Sequence, residues 1–151
     1  MKSKIIFILL IFSTFCNAQI VSIPNANFKA KLLSASPSNT IAKDLNGNFI
    51  KIDINNDNEI QNSEAAQISY LNISNSNILA SSLIGLETFT NLEEFICSNN
   101  SINSLNLTFL SLLKYLNCEN PIARIFPRND SAELHSVPTK NCHNVQKIVL
   151  F

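Results

Sequence analysis

Apolar residues return along this chain at a fixed interval. Sliding the sequence against itself by 21 residues pairs Ile84 with Leu105, Leu86 with Leu107, Phe89 with Leu110, Leu92 with Leu113, Phe95 with Leu116 and Cys97 with Cys118, and aligns Asn99 with Asn120. Apolar columns held in register this way mark repeated structural units, which decide the architecture before any local reading does. Within a copy the pattern is L-x-x-L-x-L-x-x-N-x-L. Leu92, Phe95, Cys97, Asn100 and Ile102 fill it completely. Ile68, Leu71, Ile73, Ser76 and Ile78 fill it 24 residues upstream, with serine in the asparagine position. A third copy opens with Leu113, Leu116 and Cys118 and then slips, because Pro121 falls on the asparagine position and Ile122 arrives early. Alternation around the fourth and sixth positions predicts a short strand in each copy, those two side chains facing the core and their neighbours facing out. The ninth-position asparagine predicts a turn, its amide bonding the turn's backbone.

Copies of this kind stack into a parallel sheet. Each buries its apolar columns only against its neighbours, so about three are needed for stability and the ends must be capped. The expected fold is therefore α/β, a short leucine-rich-repeat solenoid of about three coils with an N-terminal α-helical and loop cap. Pro24 and Asn25, followed by Phe28, Leu32 and Leu33, predict a short amphipathic helix over the open end of the first coil. Residues 34–48 read as loop. The expected boundaries are 1–18 for a leader, 19–66 for the cap, 67–125 for the repeats and 126–151 for an irregular tail broken by Pro127 and Pro138.

The leader carries the compartment. Lys2 and Lys4, the apolar run 5–12 and the small-residue exit at Cys16, Asn17 and Ala18 follow the order of a secretory signal peptide, so a secreted or cell-surface location is expected. That run is shorter than the ~20 apolar residues of a membrane span, so none is expected. Eleven basic and eleven acidic side chains cancel, leaving no long-range pull toward nucleic acid. Gly47 and Gly85 are the only glycines of the chain, so a sequence that turns this often must use asparagine for its left-handed residues. Beyond the leader the cysteines are Cys97, Cys118 and Cys142. The first two share an inward column on neighbouring strands and are expected to be reduced, stacked as small hydrophobes.

One stretch of the cap has ion chemistry. Asp53, Asn55, Asp57, Glu59 and Glu64 occupy positions 1, 3, 5, 7 and 12 of the calcium-loop pattern D-x-[DN]-x-[DN]-G-x5-E. Ca²⁺ takes six to eight oxygens, and this spacing supplies side-chain oxygens, one backbone carbonyl and a bidentate glutamate. Asn58 stands where glycine is expected, and asparagine tolerates the left-handed turn required there. The competing reading is a polar turn in which Asp57 and Asn58 cap the next element without metal. Enzyme signatures are absent: there is no G-x-S-x-G, no phosphate-cradling glycine loop and no H-E-x-x-H. Glu93 and Glu94 are adjacent in a strand and face alternate sides, which suits a solvated surface better than paired acid–base work.

Several segments together carry a resemblance: Ile23-Pro24-Asn25-Ala26-Asn27-Phe28-Lys29-Ala30, Asp53-Ile54-Asn55-Asn56-Asp57-Asn58-Glu59-Ile60, Ser63-Glu64-Ala65-Ala66, Phe89-Thr90-Asn91-Leu92 and Cys97-Ser98-Asn99-Asn100. Over residues 23–120 the chain resembles the internalin-like leucine-rich-repeat proteins that many bacteria secrete, with an EF-hand-like loop in the N-terminal cap. The resemblance implies a repeat array whose concave strand face contacts a protein partner. The outward positions of that face are Tyr70, Asn72 and Ser74, then Glu94, Ile96 and Ser98, then Tyr115, Asn117 and Glu119. A binding module, a truncated fragment of a longer repeat protein with no independent function, and a secreted hydrolase are the three competing functions, with the binding module first.

Overall fold

The computed structural model describes residues 19–80 and 83–118, together with two further strand segments, Arg124–Phe126 and Ile148–Val149. In chain order the elements are α1 (Ala26–Leu33), β1 (Ala42–Asp44), α2 (Asn62–Ala65), β2 (Ile68–Asn72), β3 (Leu79–Ala80), a 3-10 turn (Leu86–Thr88), β4 (Glu94–Ile96), β5 (Ser101–Ile102), β6 (Ser104–Asn106), β7 (Tyr115–Asn117), β8 (Arg124–Phe126) and β9 (Ile148–Val149). The signal-peptide segment 1–18, Glu119 and all of the tail except those strand segments lie outside the described residues.

The expected α/β solenoid of about three coils is overturned by the sheet topology. The main sheet is mixed, with five strands in the order β1-β2-β4-β7-β9. Its inner strands β2, β4 and β7 run parallel, whereas β1 pairs antiparallel with β2 and β9 antiparallel with β7. Two small parallel pairs, β3 with β5 and β6 with β8, complete the strands. Helix is confined, among the described residues, to the eight residues of α1 and the four of α2, so β structure dominates. The physical reasons are local. The segments returning from one inner strand to the next are rich in Asn and Ser, which bond their own backbone in preference to continuing a helix. Residues 34–48, expected as loop, instead supply β1. There Asp44 N donates to Asn48 O at 2.9 Å and Ile50 N to Ala42 O at 3.1 Å, folding the chain back around Asn46-Gly47.

The sequence columns do meet in register. Leu71 stands beside Phe95 and Phe95 beside Leu116, all three buried, as are Ile73, Cys97 and Cys118. One continuous core runs from Val21 to Cys118, with Phe28, Phe89 and Phe95 as its largest fully buried side chains. Helix α1 forms where expected. Asn25 Oδ1 accepts from Phe28 N at 2.9 Å, closing the first turn, and the helix drops Phe28 and Leu32 into the core. Asn25 and Asn27 also donate to the carbonyls of Leu79 and Asn77, which fastens the helix to the first return segment.

Asn100 holds neighbouring copies together. Its Oδ1 accepts from Ser76 N at 3.2 Å and Ile78 N at 3.0 Å, while its Nδ2 donates to Ile73 O at 2.8 Å and, within its own copy, to Cys97 O at 3.1 Å and Ser98 O at 3.3 Å. Every non-glycine residue with positive φ among the described residues is an asparagine: Asn56, Asn58, Asn75, Asn77 and Asn99. Gly85, at φ 101°, answers a different need. A Cβ there would lie 2.8 Å from Ile23 Cγ1 and 3.0 Å from Ser22 O, so segment 21–23 seats directly on this turn.

Cys97 and Cys118 are both free and buried, as expected of a reduced stacked pair. The Cys97 thiol shares a hydrogen bond with Cys118; that bond first, and burial second, push the Cys97 thiol well above its ordinary range.

Two outcomes follow from these contacts. Asn100→Ala strips partners from Ile73 O, Ser76 N and Ile78 N at once and is expected to cost about 2–4 kcal/mol in urea denaturation. Asn100→Asp should lose a comparable amount, since a carboxylate keeps the acceptor half but faces three carbonyls with no donor; a near-neutral Asp variant would show that the donor half is idle. For the thiols, an alkylating reagent should label Cys97 and Cys118 only after unfolding, read peptide by peptide in a mass spectrometer. Recovery of a Cys97–Cys118 disulfide peptide from native protein would contradict the reduced pair.

Candidate functional site

Two places in the fold collect chemistry: the loop 53–64 of the cap and the exposed side of the main sheet. The loop enters from Ile52, buried in the core, and leaves through α2, with no helix ahead of it. Asp53 and Glu64 are both nearly buried, at 3% and 6% exposure, so their charges must be met by donors. They are. Glu64 Oε1 accepts from Ile54 N at 2.8 Å and Asn55 N at 3.4 Å, and its Oε2 accepts from Gln61 N at 3.0 Å as half of a capping box on α2. Asp53 Oδ1 accepts from Asp57 N at 3.2 Å, and Asp53 Oδ2 lies 3.6 Å from Lys51 Nζ.

The remaining loop residues bond inward in the same manner. Asn55 Oδ1 accepts from Asp57 N at 3.1 Å, and Asp57 Oδ1 from Glu59 N at 2.8 Å. Asp57 Oδ2 accepts from Gln61 Nε2 at 2.7 Å and Asn55 Nδ2 at 2.9 Å. The backbone N–H of Glu59, ahead of the other donors, holds the Asp57 carboxyl below its ordinary range. Glu59 turns away to Lys29 on α1, at 2.6 Å. Asn58, with φ 63°, takes the left-handed turn that the sixth position of the calcium pattern demands.

The loop thus offers oxygen at its five positions and makes the left-handed turn of the pattern at Asn58. Its carboxylates, however, are engaged by backbone amides, by Asn55 and Gln61, and by lysines, and among the described residues no three His, Cys, Asp or Glu side chains gather where one metal ion would sit. A cation entering the loop has to take Asp57 from the amides of Asn55 and Gln61.

The sheet face is built by register. Tyr70 stands opposite Glu94 and Glu94 opposite Tyr115; one step along, Asn72 stands opposite Ile96 and Ile96 opposite Asn117. Alternate residues Leu71, Phe95 and Leu116 are buried beneath them. The structure brings six of the expected face residues together in these two rows. Ser74 sits beside them, its Oγ donating to Asn72 Oδ1 at 2.6 Å. Ser98 is a correction: it is 7% exposed, and its Oγ donates to Asn117 Oδ1 at 2.8 Å, so it holds a face residue and is not itself open to a partner. Glu119 lies outside the described residues.

The first row extends further than the repeat pattern reaches. Lys43 on β1 pairs with Tyr70, and its Nζ lies 4.9 Å from the Tyr70 ring centre and 5.0 Å from that of Phe49, the two rings meeting edge to face at 6.4 Å. A cleft of about 460 Å³ opens beside this row, bordered by Lys43, Tyr70, Glu93 and Glu94 and by the exposed apolar side chains of Leu45 and Leu112. Of its two glutamates, Glu93 is bound to Lys114 at 2.8 Å. Burial, acting with the charge on Glu94 and with Tyr115, raises the Tyr70 phenol above its ordinary range. Lys43, Phe49 and the cleft were missed by the repeat reading because they come from the hairpin at 42–50. The Asn46-Gly47 pair was the available signal, since Asn-Gly is a strong mark of a tight reversal between strands.

Among the described residues no helix is long and apolar enough to cross a membrane. No protein-family model matches this chain, and no curated protein and no solved structure matches it at a significant level.

Proposed function

We propose that this chain is a secreted or cell-surface binding protein, not an enzyme, that takes up a protein partner on the exposed side of its main sheet. The observation that carries this reading is the pair of in-register rows, Tyr70–Glu94–Tyr115 and Asn72–Ile96–Asn117, laid over a fully buried apolar layer. Such a surface is rigid before contact, because its side chains stand on strands whose alternate residues are locked in the core. Aromatic groups supply large contact area at low entropic cost, and the amides and carboxylate between them supply direction. The order of charge, apolar run and small residues in 1–18 supports export, and the internalin-like resemblance supports protein contact through strands.

A photo-reactive benzoylphenylalanine placed at Asn72 or Asn117 should form adducts of one defined mass when the protein meets its partner in extracellular or cell-surface material. The same group at Leu79, exposed on the separate β3–β5 pair, should form none. Adducts from Leu79 and none from the two asparagines would move the contact off this face and sink the proposal.

A second reading concerns the cap, and the left-handed Asn58 at the turn position favours it. We infer that Asp53, Asn55 and Asp57 through side-chain oxygens, Glu59 through its carbonyl and Glu64 through both carboxylate oxygens hold Ca²⁺, which locks the cap closed. A hundredfold excess of calcium over its dissociation constant is then expected to stabilise the fold by about 2.7 kcal/mol relative to chelator. Magnesium should substitute poorly. Glu64→Gln should lower stability in both buffers, because Glu64 also caps α2, and should abolish the difference between them. Identical melting of the wild-type chain with calcium and with chelator would leave the loop as a polar cap and nothing more.

A further inference from the structure

Resting on the reading of the strand face as a binding surface, we propose that this face recognises an arginine side chain of the partner, its guanidinium seated on Glu94 between the rings of Tyr70 and Tyr115. Lys43, Tyr70, Glu94 and Tyr115 are consecutive pairing partners on β1, β2, β4 and β7, so the row runs cation, aromatic, anion, aromatic. Strands lie about 4.8 Å apart, which places the two tyrosines about 10 Å from one another at the backbone with the carboxylate between them. A flat cation resting on that carboxylate lies within the ~6 Å over which each ring attracts positive charge.

The first half of the row already shows this chemistry completed within the chain. Lys43 Nζ sits about equally far from the Phe49 and Tyr70 ring centres, at 5.0 and 4.9 Å. The second half has the aromatic groups and the carboxylate, and among the described residues no cation is paired with it. Glu94 is exposed, and among the described residues the ion pairs are Lys29–Glu59, Lys51–Asp53 and Lys114–Glu93, none of which uses it. Its neighbour Glu93 is paired with Lys114, so of the two glutamates on the cleft wall Glu94 is the one without an ion pair among the described residues.

Arginine fits better than lysine for geometric reasons. A guanidinium is planar, so it stacks on tyrosine and at the same time presents two parallel N–H bonds to a carboxylate, whereas an ammonium does one or the other. Leu45 and Leu112, exposed at the border of the adjoining cleft, give apolar surface for the methylene stem. Lys43 beyond Tyr70 repels a second cation placed on its own side of that ring, which directs the guest to the Tyr115 side.

The test is a nuclear magnetic resonance titration of the purified chain with two blocked pentapeptides, Ser-Thr-Arg-Thr-Ser and the same peptide with citrulline, the uncharged isostere, in place of arginine. The arginine peptide should move the amide signals of Tyr70, Glu94 and Tyr115 in a saturable manner. The citrulline peptide should bind at least about tenfold more weakly, and Glu94→Gln should weaken the arginine peptide by a similar factor, as loss of a charge-assisted pair requires. Tyr115→Leu, which keeps the carboxylate, should weaken binding by a smaller factor. Equal shifts with citrulline, undiminished binding by Glu94→Gln, or shifts confined to other residues would each overturn the assignment. If the photo-adducts through Asn72 persist unchanged in Glu94→Gln, the arginine assignment alone falls and the binding face stands.

Discussion

The side-chain amide of Asn100 faces backbone groups of two successive copies at once, and the sheet face depends on that attachment. Three of its five contacts reach the preceding copy, at Ile73, Ser76 and Ile78; two stay in its own, at Cys97 and Ser98. An amide has two N–H donors, so one of them is shared among the three carbonyls it approaches. What this geometry achieves is a fixed offset between the end of β2 and the end of β4, at the place where both chains leave the sheet. With the offset fixed, Leu71 and Phe95 meet below the sheet and Tyr70 and Glu94 meet above it. A slip of one residue would exchange the two faces, putting the glutamate in the core and the phenylalanine in water.

Much of this was legible in the sequence, for reasons that can be assigned to residues. The 21-residue offset is a property of side-chain volume in the core, so Phe95 over Leu116 and Cys97 over Cys118 could be read without a structure. The helix at Ala26–Leu33 was visible because Asn25 is a strong cap and Phe28 and Leu32 share a face. The left-handed asparagines followed from a shortage of glycine. What stayed hidden belongs to contacts between segments far apart in the chain. Pairing of β1 with β2 is decided by the edge that β2 exposes and by the hairpin at Asn46-Gly47, not by any periodicity in residues 34–48, and with it went the mixed topology, Lys43 and the cleft. Ser98 was misplaced for a related reason. Alternation assigned it to the outer face, but its hydroxyl bonds Asn117 Oδ1 and the residue is buried there.

The cap loop is organised by its own polar groups around a buried apolar anchor, Ile60, which joins the core. Asp53, Asn55, Asp57 and Glu64 each accept backbone N–H groups from the residues that follow or precede them, so the loop's amides are satisfied by its own side chains. Glu59 then links the loop outward to Lys29 on α1, while Ile60 O accepts from Val21 N at 2.7 Å. The loop and the helix are therefore positioned together, and α1 in turn is tied through Asn25 and Asn27 to the carbonyls of Leu79 and Asn77.

Gly85 extends that connection into the middle of the molecule. Segment 21–23 packs so closely on the Gly85 turn that a single added carbon would meet Ile23 and the carbonyl of Ser22. Segment 21–23 is thereby seated on the loop that leads out of the first copy, through Phe89, to Leu92 of the second. Chains built from stacked copies ordinarily fray from their ends, one unit at a time, because each unit touches only its neighbours. Here segment 21–23, just ahead of α1, is seated on the last part of the first copy, so loosening that copy also unseats the cap.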